Sequence, residues 1–174
     1  MDLKLKKTRA GTDFFAINPK GSVPVLQLDN GAVLTENIVI LKYLVDFSNT
    51  TKLLPKTDDF NHYKVLEWLS YIATELHKSF SPLFNPSITT ELKSQLFIPL
   101  LQSKLSYVNN YLQDSPYLIG DHFTLPDAYL FVILFWTTSV KLDLAEWSNL
   151  ARYFVKLSSR QSIKISLEQE ELRC

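Results

Sequence analysis

The alternation of apolar and polar residues in the first third of the chain predicts short strands and helices. Residues 2–6 alternate in the manner of a strand, and an apolar run at 23–28 predicts a second strand. A helical stretch is expected over 12–17, and apolar residues at helical spacing predict a helix over 36–46. Together with a third strand after residue 31, this order describes a small βαββα-like unit.

The sequence of this part of the chain predicts two turns. In Asn18-Pro19-Lys20-Gly21 the proline fixes φ and the glycine permits a positive φ, which is typical of a turn. Asn30-Gly31 lies between two apolar runs, and this pair is the strongest local indicator of a tight β-hairpin.

From residue 59 onward the apolar spacing is helical. Val65, Leu69, Ile72 and Leu76 form the buried stripe of a long helix. A second helix is predicted around 101–112, where the upstream Pro99 should cause a kink or a break, and another is predicted around 150–157.

Between these helices, Thr124-Leu125-Pro126-Asp127 predicts a helix start. Thr124 can cap the first turn, Asp127 can return a hydrogen bond to it, and Pro126 is tolerated at this position. Residues 128–136 are apolar on nearly every face, so we expect this helix at the centre of a bundle.

The pattern therefore predicts two domains. Residues 1–48 form an α+β domain, residues 49–58 a linker containing Pro55, and residues 59–174 an all-α helical bundle.

Composition narrows the function classes. The 174 residues carry 18 Lys+Arg and 18 Asp+Glu, which disfavours a general nucleic-acid binder. The longest apolar run is far shorter than the roughly 20 residues that span a bilayer, so no membrane segment is expected. The single cysteine, Cys174, fits a reducing compartment, and we expect a cytoplasmic protein. No metal site is expected, because the three histidines lack ligand spacing and a second cysteine is absent.

Three groups of motifs carry a family resemblance. The sequence from Asn18 to Leu26, followed by Leu34-Thr35-Glu36-Asn37, resembles the glutathione-binding half of glutathione S-transferases. The sequence from Gly120 to Ala128 resembles the capped central helix of that family. Glu67-Trp68-Leu69 and Glu75-Leu76-His77-Lys78 resemble its bacterial beta class.

The resemblance implies a fold and a chemistry. It implies a thioredoxin-like N-terminal domain and a helical C-terminal domain, assembled as a homodimer. It implies conjugation of glutathione, as co-substrate, to hydrophobic electrophiles in detoxification, with no further cofactor.

The resemblance also implies a half-site for glutathione in the N-terminal domain. With the Val23-Pro24 bond in cis, the valine N–H and C=O could pair with a peptide-like ligand; the alternative is an ordinary trans proline starting an edge strand. At Asn37 a helix N-terminus would receive the glutamyl carboxylate, while Glu36 holds its ammonium group. The alternative is that Thr35 and Glu36 only cap the helix.

Further binding residues follow from the resemblance. Lys6 maps to a glutathione contact, and His77 and Lys78 are expected near the glutathione sulfur. Ser70 replaces an asparagine that, in the beta class, reaches the partner subunit's ligand. These residues belong to a polar stripe that could also be a plain solvated face: Ser70, Thr74, His77, Lys78 and Ser81.

No catalytic residue can be assigned beyond a tentative His77. The family carries its catalytic Tyr, Ser or Cys on a strand and helix that precede the strand expected at 2–6, and no residue here matches that segment. The expectation is an incomplete N-terminal domain beside a well-formed helical one, in which exposed strand edges favour association.

Two functions stay open at this point. The first is a glutathione transferase that lowers the thiol pKa with Lys6, Lys78 and His77. The second is a truncated, catalytically inactive relative kept for binding or association.

Overall fold

The computed structural model describes residues 5–48 and 50–172, which form two compact units. The first unit ends at Thr50 and the second begins at Thr51. Within the described ranges, no helix is both long enough and apolar enough to cross a membrane. The two units are of different kinds, because the first contains a sheet and the second is helical.

The first unit is built around a two-stranded antiparallel sheet and one helix. Strand β1 (Val25–Gln27) pairs with β2 (Val33–Thr35), with Leu26 opposite Leu34. Helix α1 (Asn37–Ser48) follows directly and buries Ile40 and Val45. The predicted hairpin and the predicted helix are therefore confirmed.

The hairpin turn contains three residues, 29–31, between Leu28 and Ala32, which close it with a hydrogen bond. The Leu28 N–H donates to Ala32 O at 2.8 Å, and the Gly31 N–H donates to Leu28 O at 2.9 Å. Gly31 has φ 84°, in the left-handed region that only glycine adopts without cost.

Two predictions before the hairpin need correction. The helix expected over 12–17 is a single 3-10 turn, Phe14–Ala16, because the Asp13 carboxylate accepts the Phe15 N–H and closes a tighter turn. The strand expected over 2–6 falls mostly outside the described residues. Lys6 itself lies in a turn, with φ 51°.

The second unit is helical throughout. Helix α2 (Phe60–Tyr71) passes through a π-helical segment (Ile72–His77) into α3 (Lys78–Phe84) without a break in the chain direction. The remaining helices are α4 (Thr90–Leu92), a second π-helical segment (Lys93–Phe97), α5 (Ile98–Tyr111), α6 (Leu125–Phe135), α7 (Ser148–Ser158) and α8 (Gln161–Gln169). Pro99 is the second residue of α5, directly after the second π-helical segment, and the backbone stays helical at this junction. The expected break is therefore absent, because a proline in the first turn of a helix needs no hydrogen-bond partner for its nitrogen.

Helix α6 is the centre of this unit, as its all-round apolar sequence predicts. It packs against α2, the first π-helical segment and α7. Leu130, Ile133 and Leu134 are fully buried, while Val132 remains exposed. The predicted central position is confirmed.

A buried carboxylate fixes the start of α6. Asp127 accepts hydrogen bonds from the Thr124 N–H at 2.7 Å, the Thr124 hydroxyl at 2.8 Å and the Leu118 N–H at 2.9 Å. The Tyr153 hydroxyl of α7 donates to it at 2.6 Å. Burial raises the pKa of Asp127 and the four donors oppose that rise. The predicted cap is confirmed, and it also ties α6 to α7.

Replacing Asp127 with alanine should destabilise the protein by about 3 kcal/mol or more, because four buried donor groups lose their acceptor. Urea unfolding followed by circular dichroism measures the change. Asp121→Ala is the matched control, since this exposed carboxylate precedes the same helix and its loss should cost less than about 0.5 kcal/mol. Equal unfolding midpoints for the two variants would contradict the structural role of Asp127.

Candidate functional site

The turn before β1 is organised by a buried asparagine. The Asn18 amide donates to Ser22 O at 2.7 Å, and its Oδ1 accepts the Lys20 N–H at 3.2 Å. The Gly21 N–H donates to Asn18 O at 2.8 Å, so the turn is closed from both sides. The side chain is 2% exposed, and the surrounding polar groups satisfy it without water.

Gly21 is required by space as well as by backbone conformation. Its φ is 61°, and a Cβ atom added here would lie 2.5 Å from the ring of Phe15. On the other side of the turn, the Lys6 ammonium donates to Gly21 O at 2.8 Å. Lys6 therefore anchors the turn with one donor and has two further N–H groups to offer.

The residues after this turn leave a backbone edge available. The Val23-Pro24 peptide bond is cis, as predicted. Val23 is exposed, and within the described part of the chain neither its N–H nor its C=O makes a hydrogen bond. Both groups can therefore pair with an extended, peptide-like partner.

Glu36 sits at the entrance to α1 and is joined to the same turn. Its φ is 72°, and its C=O accepts the Ile40 N–H at 3.0 Å, which begins the helix at Asn37. The Lys20 ammonium lies 2.5 Å from the Glu36 carboxylate and donates to Thr35 Oγ1 at 2.8 Å. The first N–H groups of a helix lack intrahelical partners and favour an anion.

Lys20 was not singled out by its sequence, although it belongs to the Asn18-Pro19-Lys20-Gly21 motif. Its ammonium connects the turn to the entrance of α1. This unit therefore brings together Lys6, Val23, Pro24, Glu36 and Asn37 around one turn.

In the second unit, His77 is the last residue of the first π-helical segment. Its Nδ1 lies 2.7 Å from the Tyr129 hydroxyl of α6. The edge of one ring meets the face of the other between His77 and Trp136, with centroids 4.8 Å apart. Burial, and to a lesser degree the charge of Lys78, lower the pKa of His77, so its imidazole is neutral at neutral pH.

The predicted polar stripe is brought together only in part. Lys78 is exposed beside His77 at the first residue of α3. Ser70 lies in α2, before the π-helical segment, and its carbonyl accepts the Thr74 hydroxyl at 3.0 Å. His77 and Lys78 are thus neighbours, and Ser70 is separated from them along the helix.

Aromatic side chains surround the imidazole on one side. Trp136 also contacts Phe80 and the half-exposed Phe84 edge-on, with centroids 5.7 and 5.6 Å apart. Such a surface suits a planar apolar ligand. The sequence predicts neither Tyr129 nor Trp136 as a neighbour of His77; the only available signal is the hydroxyl of Tyr129 on an otherwise apolar helix.

No group of three metal-ligating side chains that could hold an ion occurs among residues 5–48 and 50–172.

His77 should titrate with a pKa below 6.5, because its charged form loses hydration in the folded state. Between the folded and the unfolded pKa, the unfolded chain binds a proton at His77 that the folded chain does not bind. Stability should therefore fall as the pH decreases from about 6.5 through the folded pKa, and this group should have no effect at higher pH. Nuclear magnetic resonance (NMR) titration of the ring, assigned with a His77→Gln variant, measures the pKa.

The same histidine in the urea-unfolded chain is the reference for this titration. Lys78→Gln should raise the folded pKa only part of the way, because burial is the larger cause. A folded pKa at or above the unfolded one would contradict the neutral state of His77.

Family models match both units. A model described as the C-terminal domain of glutathione S-transferase matches residues 71–161, and a model of the N-terminal domain matches residues 3–46. Glutathione S-transferase GstA of Escherichia coli O157:H7 is 42% identical over 99% of this chain and 86% of its own length.

Solved structures agree with these matches. A sphingomonad glutathione S-transferase complexed with glutathione is 35% identical, with a TM-score of 0.92 over 99% of this chain and 86% of its own. A bacterial beta class glutathione S-transferase of Sphingomonas chungbukensis is 35% identical, with a TM-score of 0.93 over the same shares. The predicted fold class, a thioredoxin-like unit and a helical unit, is confirmed, and the chain belongs to the glutathione S-transferase family.

Proposed function

We propose that this protein is an enzyme that conjugates glutathione to hydrophobic electrophiles. The observation that carries the proposal is the turn at 18–22, which presents two complementary features. On one side the backbone groups of Val23 are unpaired within the described residues, and on the other Lys20 joins the turn to Glu36 at the start of α1. A tripeptide with a free α-amino and α-carboxylate group at one end matches these features.

The proposal assigns each part of glutathione to named residues. The backbone of Val23, ahead of Pro24, pairs with the cysteinyl residue of the ligand. The Glu36 carboxylate binds the ammonium group of the γ-glutamyl residue. The N–H groups at the start of α1, beginning with Asn37, bind its carboxylate. The sphingomonad relative was solved with glutathione bound.

The thiol is activated by charge and hydrogen bonding. Lys6 and Lys78 supply positive charge, and His77 supplies a neutral hydrogen-bonding group, so the thiol pKa falls and the thiolate becomes the main species near neutral pH. The thiolate sulfur then forms a bond to an electrophilic carbon. In a substitution the leaving group departs with its bonding electron pair; in an addition the electron pair moves to the neighbouring atom of the electrophile, which takes up a proton. Ser70 takes the place of the family's asparagine and adds a polar contact to the glutathione of the partner subunit.

The assembly and setting are part of the same proposal. The enzyme works as a homodimer in the cytoplasm, where it detoxifies electrophiles, and requires no cofactor besides its co-substrate. Residues 1–48 form the glutathione-binding domain, 49–58 the linker and 59–174 the helical domain.

Glu36→Gln should weaken glutathione binding about tenfold, because the ligand ammonium loses a charged acceptor. Calorimetric titration measures the affinity. Asp29→Asn is the matched control, since it removes a carboxylate from the exposed hairpin turn of the same unit. N-acetylglutathione lacks the ammonium group, so Glu36→Gln should barely change its affinity. An equal loss with both ligands would contradict the assigned contact.

Lys78→Gln should raise the pKa of the bound glutathione thiol by about one unit, because a positive charge near the thiolate is lost. The ultraviolet absorbance of the thiolate, followed against pH in the binary complex, reports this pKa. Lys164→Gln removes the same charge from an exposed position on α8 and should leave the profile unchanged. Coincident profiles for Lys78→Gln and the unmodified protein would remove Lys78 from the thiol site.

A further inference from the structure

One hydrogen bond joins the first π-helical segment to the central helix. The His77 Nδ1 and the Tyr129 hydroxyl oxygen are 2.7 Å apart, a normal length for a strong neutral hydrogen bond. Tyr129 is 7% exposed and lies in the first half of α6, two residues after the carboxylate that fixes the start of that helix. The hydroxyl is therefore carried by a helix whose start is fixed by four hydrogen bonds.

The chemistry of the two groups decides which one donates. A phenol O–H, with a pKa near 10, is a better donor than the N–H of a neutral imidazole. An imidazole nitrogen is in turn a far better acceptor than a phenol oxygen. The favoured arrangement has the Tyr129 O–H donating to Nδ1 of His77.

A neutral imidazole carries one proton, so accepting at Nδ1 places that proton on Nε2. We propose that Tyr129 is a positioning residue that fixes His77 as the Nε2–H tautomer, so that the ring offers the glutathione sulfur a hydrogen-bond donor and not a base. The functional half of this inference rests on the proposed function, while the tautomer is a property of the protein by itself.

The surroundings of the ring support a single orientation. Trp136 packs edge-on against it, with an interplanar angle of 86°, and opposes rotation about the side-chain bonds. π-Helical turns are frequent at functional sites, and His77 closes one.

The charged groups described beside the ring are compatible with this arrangement. Burial favours the neutral ring, and the positive charge of Lys78, the next residue in the chain, acts in the same direction on its pKa. On the α5 side, Lys104 and Glu75 lie 3.0 Å apart and pair with each other. The ring is therefore neutral, and the hydrogen bond from Tyr129 determines which of its nitrogens carries the proton.

The test is the nitrogen-15 NMR spectrum of the histidine ring in the labelled, ligand-free protein, recorded above the pKa of His77. The long-range proton–nitrogen pattern distinguishes the two tautomers directly. The unmodified protein should show the Nε2–H form, and Tyr129→Phe should show a mixture. Tyr117→Phe is the matched control, because it removes a hydroxyl elsewhere in the same unit and should leave the pattern unchanged. An Nδ1–H form in the unmodified protein, or an unaltered pattern in Tyr129→Phe, would overturn the inference.

The kinetic consequence is measured separately. Tyr129→Phe should lower kcat for conjugation about tenfold and leave the KM for glutathione within about twofold, because the donor acts on the sulfur and not on the peptide. His77→Asn should lower kcat by a similar factor, and the double variant should lose no more than either single one. Additive losses would show that Tyr129 acts independently of His77 and would overturn its positioning role. If the unmodified protein conjugates nothing, the proposed function fails, while the spectra still decide the tautomer.

Discussion

The buried carboxylate of Asp127 is the interaction on which the helical unit depends. It accepts four hydrogen bonds from three segments: the Leu118 loop, the Thr124 cap and Tyr153 of α7. Such a group is costly to bury unless all its partners are present, so the segments must assemble together. Tyr129 follows Asp127 by two residues on α6. The same hydrogen bonds therefore help to fix the position, along the helix axis, of the hydroxyl that contacts His77.

The N-terminal unit is held by a different kind of constraint. Among its described residues, few apolar side chains are buried: Phe14, Ile40 and Val45. A two-stranded hairpin is marginal alone, and the polar contacts of the turn therefore carry much of its geometry. Lys6 donates to the carbonyl of Gly21 in that turn, and Lys20 joins the turn to Thr35 and Glu36, so the two lysines connect the turn to the segments on either side of it.

Local rules explain which features could be predicted from the sequence. The Asn30-Gly31 hairpin, the Thr124 cap and the start of α1 each depend on a few adjacent residues, and all are present. The π-helical segment ending at His77 has no comparable local signature. Tyr129 lies 52 residues from its partner, so their contact arises only from the packing of α6. The apolar pattern does not predict helix α8, because polar residues cover most of it.

His77 and Lys78 are neighbours in the chain, and the proposed mechanism gives them two different roles. A positive charge near the sulfur favours the thiolate at a distance, whereas a hydrogen bond requires contact and orientation. In the proposed mechanism Lys78 performs the first task. Burial and, to a lesser degree, the charge of Lys78 lower the pKa of His77, so the ring does not become a second cation. Because the imidazole stays neutral, only the nitrogen that carries its single proton can donate a hydrogen bond. A hydroxyl that donates to Nδ1 selects the form with the proton on Nε2, and Tyr129 is the hydroxyl in that position.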